Sequence, residues 1–282
     1  MPRPISLAAL TVLELTPPEM VDCAADAGFS HIGIRLLPAT SVEPQYDIVG
    51  DTPLLRDVER RLAATGVKVL DVEIFRLKPD TRIGDYEAAI ATAARLGASE
   101  LLVAGNDPDE RRLIDAFAGF CDLAASYGLG ANLEFMPWTD AKDLPQASRI
   151  VEATGRANAG VLIDPFHLSR SRSRIEDIAA IAPSRFHFMQ FCDVPEAIPP
   201  TMDLILAEAR GERLFPGDGG VDLVRLLRAL PRDLPLSVEV PTRALAETVP
   251  AIERARRALA ATERVLALLE RIESNGEDLF NG

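Results

Sequence analysis

Apolar and polar positions along this chain keep exchanging two periods. Short apolar or strictly alternating runs, suited to strands, give way to stretches with apolar residues three and four apart, suited to helices. The exchange happens about eight times. The spacing predicts strands over 5–8, 31–36, 68–74, 100–104, 131–134, 160–163, 185–191 and 236–240. It predicts helices over 17–27, 53–64, 84–96, 109–127, 144–153, 175–182 and 221–230, with a long final helix from 244 to about 272. Gly28, Gly66, Gly97, Gly128 and Gly155 each fall where a helix returns to a strand, the place for a left-handed C-cap.

Strands alternating with helices imply a parallel sheet, closed or doubly wound. About eight units, and no G-x-G-x-x-G after the first strand, favour closure into an α/β fold of the (β/α)8 (TIM) barrel type. No linker, low-complexity tract or composition break divides the chain, so a single domain over 1–282 is expected. The connection 193–220, rich in Pro and Gly, is the least regular segment, and loops of that length are usually functional.

Composition narrows the field of partners. A length of 282 residues suits one barrel, and 48% hydrophobic with 26% charged residues suits an ordinary globular core. A net charge of −13 counts against nucleic acid, although it does not forbid a local basic pocket. Cys23, Cys121 and Cys192 form no C-x-x-C pair and suit a reducing compartment. The start, Met1-Pro2-Arg3-Pro4, lacks a signal-peptide core, and no apolar run has membrane-span length. A cytoplasmic protein without membrane contact is expected.

In such barrels the C-terminal strand ends face the active site. Strand 5 ends in Asn132-Leu133-Glu134, and strand 6 in Leu162-Ile163-Asp164, continuing to His167. Strand 7 carries Gln190 and Asp193, and strand 8 ends in Ser237-Val238-Glu239. Alternation points Asn132, Glu134, Ser237 and Glu239 inward when their neighbours pack outward. Gln190 and His187 face opposite ways, and Gln190 is nearer the strand's C-terminal end. Three converging carboxylates need a cation. The expected ligand set is Glu134, Asp164, Gln190 and Glu239, an all-oxygen site suited to Mg²⁺ or Mn²⁺ rather than Zn²⁺. Taken singly, each of these residues is better explained by an ion pair or a helix N-cap; the four together point to the metal.

The same alternation turns Leu70, Val72 and Ile74 outward and Asp71 and Glu73 inward, and aims Arg35 at the mouth, where it can bind substrate or pair with Glu73. Arg213, with Arg210, can bind a carboxylate or phosphate, or lie in solvent. Trp138, the one tryptophan, can wall the pocket or simply pack. In Ser169-Arg170-Ser171-Arg172-Ser173-Arg174 a solvated loop is expected, with Arg170 nearest the site. His167 is open between a structural and a functional role.

These residues resemble the xylose isomerase-like TIM-barrel superfamily of sugar phosphate isomerases and epimerases, which includes inosose dehydratases, ketose 3-epimerases and 3-dehydroshikimate dehydratases. The likeness rests on Leu133-Glu134-Phe135, on Asp164-Pro165-Phe166-His167, on Ser237-Val238-Glu239-Val240 and on the Pro216-Gly217-Asp218-Gly219 turn. It implies one divalent metal, a functional His167 and a small sugar-like substrate. Many members carry histidine where this chain has Gln190, three residues before Asp193. The family's apurinic endonucleases use many histidines, and this chain has three.

A metal-bound hydroxyketone acidifies the carbon between its oxygens, giving an enediolate, with Glu134 and Glu239 as base and acid. The broad resemblance puts isomerisation or epimerisation first. Gln190 favours the alternative, a lyase dehydrating 3-dehydroshikimate, an inosose or a keto-sugar. A third alternative is a sugar-binding barrel without catalysis. The amphipathic final helix can pack on the barrel or serve a homodimer.

Overall fold

The computed structural model describes residues 3–40 and 43–278, so Met1 and Pro2 of the N-terminal run lie outside it. Eight parallel strands run β1 (Ile5–Leu7), β2 (His31–Arg35), β3 (Lys68–Leu77), β4 (Glu100–Gly105), β5 (Gly130–Glu134), β6 (Ala159–Leu162), β7 (Met189–Phe191) and β8 (Leu236–Val238). Between them lie helices α1 (Pro17–Ala27), α2 (Pro53–Thr65), α3 (Glu87–Arg95), α4 (Glu110–Ser126), α5 (Leu144–Thr154) and α6 (Pro165–Arg170). The remaining helices are α7 (Met202–Gly211), α8 (Leu223–Arg228), α9 (Arg243–Ala246) and α10 (Ala251–Asp278). The sheet order is β6-β5-β4-β3-β2-β1-β8-β7. A parallel bridge between Ile163 and Met189 joins its two edges, and the Gln190 N–H donates to the Ile163 carbonyl at 2.9 Å. The expected (β/α)8 barrel is therefore the observed fold. No described helix is long and apolar enough to cross a membrane.

Local chemistry sets the helix ends. Thr16 and Glu19 form a capping box ahead of α1, with Pro17 and Pro18 in its first turn. Thr52, Asp109, Asp143, Asp164, Thr201 and Asp222 each accept a backbone N–H at the start of a helix. All five glycines expected to close helices have positive φ, between 65° and 96°.

Several elements differ from expectation. β7 begins at Met189 rather than 185. Residues 175–180 form a 3-10 helix, too short a piece for the α-helical pattern expected there. The final helix is preceded by a separate turn, α9, because Pro250 interrupts the run. The connection 193–220 holds a ten-residue helix, α7, capped by Thr201.

Strand β3 breaks strict alternation twice. Its register with β2 skips Leu70, and with β4 it skips from Val72 to Phe75. Each skip is a bulge, which turns two successive side chains to one face. Leu70 and Ile74 consequently join Leu102, Met136, Leu162 and Phe188 in the barrel's interior cluster, while Val69, Val72 and Phe75 pack in the layer against the helices. The outward placement expected for Leu70 and Ile74 is thus corrected, and that expected for Val72 holds. Asp71 and Glu73 do point inward, both buried.

Gly33 accommodates Asp71, because a Cβ there would lie 2.7 Å from its carboxylate oxygen. Burial first, then the charge of Glu73, hold the Asp71 carboxyl well above the usual carboxylate range. A folded-state value above the unfolded one means this contribution to stability is full at acid pH and drains away as pH rises. Asp71→Asn should therefore raise the thermal midpoint relative to the native chain, and by more at about pH 9 than at about pH 6. Equal differences at the two pH values would show that Asp71 is ionised throughout.

Candidate metal centre

The C-terminal mouth gathers side chains from four consecutive strands. Glu134 ends β5, Asp164 caps α6, Gln190 sits mid-β7 and Glu239 follows β8; all are at most 4% exposed. Ligand atoms of Glu134, Asp164 and His167 lie within 4.8 Å of one another, a spacing that could hold a metal ion. Asp164 is also the N-cap of α6, accepting the Phe166 N–H at 2.7 Å, so the cap and the candidate ligand are one residue. The short α6 brings His167 back over the strand ends, with Nε2 3.7 Å from both Glu134 and Asp164.

Gln190 donates its amide N–H to Glu239 Oε1 at 3.0 Å. That orientation leaves the Gln190 amide oxygen buried and without a partner among the described residues, as is Glu134 Oε1. Buried oxygens left in this way are costly unless something binds them. The orphaned oxygens and the oxygen-rich donor set fit a divalent cation.

A cationic side chain is already in place. Arg213 is buried, and its Nη1 lies 2.7 Å from Asp164 Oδ2 and 2.8 Å from Glu239 Oε2. Its Nε donates to the Ala209 carbonyl at 3.1 Å, and its guanidinium rests 4.8 Å above the Phe166 ring. The sequence suggested a substrate contact; the structure places Arg213 as a clamp between two acids at the cavity wall. Arg35 plays the corresponding part on the other side. It donates to Glu73 at 2.5 and 3.2 Å and to Glu43 at 3.0 Å, realising the expected pair.

These contacts separate the acids electrically. Burial first, then Glu239 and Asp164, push Glu134 well above the carboxylate range. Burial likewise pushes Glu239 up to about 7, although Arg213 opposes it. For Asp164, burial is outweighed by Arg213 and the Phe166 N–H, which hold it below its ordinary value. Burial pushes His167 down to about 3, so its 3.7 Å contacts are those of a neutral imidazole and not an ion pair.

Trp138 lines the cavity, its ring meeting the His167 ring edge-on at 5.1 Å. His187 is elsewhere, 3.3 Å from Glu100 at the first residue of β4. Arg170, the member of its run expected nearest the site, is buried, lies 5.6 Å from the Phe166 ring centre and pairs with Glu208 of α7 at 2.5 Å, outside the cavity lining. The sequence reading gave Asp193 no role. Its carboxylate accepts the N–H groups of Val194, Gly217, Gly219 and Val221 at 2.8–3.1 Å, tying the Pro216–Gly219 turn beneath the loop that carries Arg213.

An eight-stranded barrel with a buried acid–imidazole group at its mouth defines a class of barrel proteins, and comparison gives the family. The chain belongs to the xylose isomerase-like TIM barrel family, whose model matches residues 21–265. It is similar to a 3-dehydroshikimate dehydratase of Pseudomonas aeruginosa, 28% identical over 260 residues, covering 84% of this chain and 39% of that protein. It is also similar to an inosose isomerase of Bacillus velezensis, 29% identical over 159 residues, covering 52% of this chain and 54% of that protein. The chain thus spans about half or less of the length of these relatives. Among solved structures, the IolI protein with a bound zinc atom matches with TM-score 0.77 at 22% identity, over 94% of this chain and 99% of that one. A xylose isomerase-like TIM barrel/4-hydroxyphenylpyruvate dioxygenase fusion protein matches with TM-score 0.79 at 22% identity, over 98% of this chain and 45% of that one. These two likenesses show the fold.

Arg213→Met strands two buried carboxylates. Without metal it should lower stability by about 3–5 kcal/mol. Millimolar Mg²⁺ or Mn²⁺ should then raise its thermal midpoint by more than it raises that of the native chain. An equal rise in both would show that the clamp and the cation site are independent.

Proposed function

We propose that the chain is a divalent-metal-dependent enzyme that removes a proton beside the carbonyl of a small polyhydroxylated ring compound. The observation that carries this is the close group of Glu134, Asp164 and His167, in a cavity where Glu134 Oε1 and Gln190 Oε1 are buried without hydrogen-bond partners among the described residues. Glu134, Asp164, Gln190 and Glu239 would hold the cation, Mg²⁺ or Mn²⁺ by their hard oxygen donors. The zinc in the IolI structure belongs to that protein, and Gln190 is a harder donor than an imidazole. Once bound, the cation supplies Lewis-acid stabilisation of the negative charge on the substrate's carbonyl oxygen.

The chain's own groups divide the proton work. Glu239, beside the Arg213 guanidinium that favours its carboxylate form, is assigned the carbon-bound proton. Glu134, across the cavity beside His167, is assigned the proton given to the leaving group. His167, neutral and fixed between Trp138 and Phe166, orients a substrate hydroxyl by hydrogen bonding. In the lyase reading the C–H bond breaks to Glu239, a carbon–carbon double bond forms, and the β-hydroxyl leaves as water with a proton from Glu134.

We place that lyase reading first, with 3-dehydroshikimate as the type substrate. Gln190 in the histidine position favours it, and so does the dehydratase relative aligned over 84% of this chain. The second reading, isomerisation or epimerisation, is favoured by the inosose isomerase, which aligns over 52%.

The test is proton NMR in D2O with Mg²⁺ over 3-dehydroshikimate, inososes and ketoses. A new vinyl or aromatic signal is expected with 3-dehydroshikimate, whereas an inverted or migrated centre in another compound would select the second reading. Glu239→Gln and Glu134→Gln should each slow turnover by about 10²–10⁴-fold. Metal-independent binding that ignores Glu239→Gln would instead identify a non-catalytic barrel.

A further inference from the structure

Two arginines at the mouth have carboxylate partners: Glu73 and Glu43 for Arg35, Asp164 and Glu239 for Arg213. Arg210 lines the same cavity and is exposed. Arg76 differs. It is the next-to-last residue of β3, half-buried, and lines the same cavity as Glu134, His167, Gln190 and Glu239. It makes no ion pair among the described residues. Its Nη1 donates to Asn106 Oδ1 at 3.1 Å, and its Nε–H is buried without an acceptor among those residues.

The placement is built. The Tyr86 hydroxyl donates to the Arg76 carbonyl at 2.7 Å and the Thr81 hydroxyl at 3.3 Å, and the Asn106 N–H donates to the adjoining Leu77 carbonyl at 2.8 Å. The backbone of Arg76 and the side chain that pins its Nη1 are thereby held together. With Nη1 occupied, the guanidinium presents its Nε–Nη2 edge, two parallel N–H donors at carboxylate spacing. Burial already works against its charge, with Glu134 opposing that effect. An anion on that edge satisfies the orphaned donor and the unpaired cation together. One planar edge matches a singly charged carboxylate better than a phosphate monoester, which needs more donors.

We infer that the substrate carries a carboxylate and that Arg76 binds it, fixing which carbon of the ring faces Glu134 and Glu239. This rests on the proposed reaction for the metal end of the substrate and adds the recognition of its other end. Arg76 is a specificity-determining residue in this scheme and takes no part in proton transfer.

The test uses the Mg²⁺-loaded full chain and two probes, 3,4-dihydroxybenzoate and catechol, which share a vicinal diol and differ in the carboxylate. Calorimetry should show the benzoate binding at least about 10-fold more tightly than catechol to the native chain, as expected for a charge-assisted pair. Arg76→Met should abolish that preference while leaving catechol affinity and metal content unchanged, and Arg76→Lys should restore part of it. Equal binding of the two probes by the native chain would overturn the inference, as would a preference that survives in Arg76→Met. So would failure of both probes to bind, since a vicinal diol beside a carboxylate is the chemistry it requires. Inorganic phosphate displacing the benzoate at lower concentration than acetate would overturn the choice of carboxylate. If the preference holds and vanishes in Arg76→Met while 3-dehydroshikimate gives no new signal, the reaction falls and the subsite stands.

Discussion

The constraint on which the rest depends is the burial of carboxyl groups at one end of the barrel. Glu73, Glu134, Asp164 and Glu239 are each at most 4% exposed at the mouth, and Asp71 is buried lower in the barrel, level with Gly33 of β2 and Glu100 of β4. Ionised together without cations, they would repel one another in a medium that screens poorly. The fold answers in three ways. It keeps Asp71 in surroundings that favour the neutral acid, it lays Arg35 against Glu73, and it sets Arg213 between Asp164 and Glu239. What remains uncompensated is Glu134, whose Oε1 has no hydrogen-bond partner among the described residues, and the proposed cation would answer it.

Arg213 reaches its position through the segment that looked least ordered in the sequence. α7 ends at Gly211, and the chain then pairs Glu212 with Thr242 and Leu214 with Asp193 in two antiparallel bridges. Asp193 gathers the next turn with four backbone N–H groups, and Gly219 is required there because a Cβ would lie 2.4 Å from that carboxylate. Arg170 fastens α7 from the other side through Glu208. A loop rich in proline and glycine is thus a rigid mount for one guanidinium, which accounts for its length.

What the sequence disclosed follows the range of the interactions involved. Closing glycines are local, and the five left-handed glycines lie where the pattern put them. Strand-end acids obey a two-residue period, so Glu134 and Glu239 could be aimed inward before any contact was known. The period fails where a bulge adds a residue, and nothing in the run from Lys68 to Leu77 marks the bulges at Leu70 and at Glu73–Ile74. Arg170–Glu208 and Arg213–Asp164 join residues 38 and 49 positions apart, beyond any local pattern. Arg76 is a related case. Its parity on β3 could be assigned only once both bulges were known, so its inward aim was hidden by the same irregularity that lets Leu70 and Asp71 both face the interior.

Gln190 shows why the departure from histidine matters to the chemistry. A side-chain amide carries a donor and an acceptor on one carbon, only about 2.3 Å apart. Its N–H₂ is spent on Glu239 Oε1, which orients that carboxylate and leaves the amide oxygen buried without a partner among the described residues. A histidine could also donate with one nitrogen and ligate with the other, but it would present a softer donor and a group that itself titrates near neutrality. Glutamine does neither, so every proton exchanged near neutral pH at this mouth must pass through a carboxyl group or through His167. Burial has already removed His167 from that range. In the proposed reaction the acid–base work therefore falls to Glu134 and Glu239, whose surroundings differ, one beside His167 and the other beside the Arg213 guanidinium.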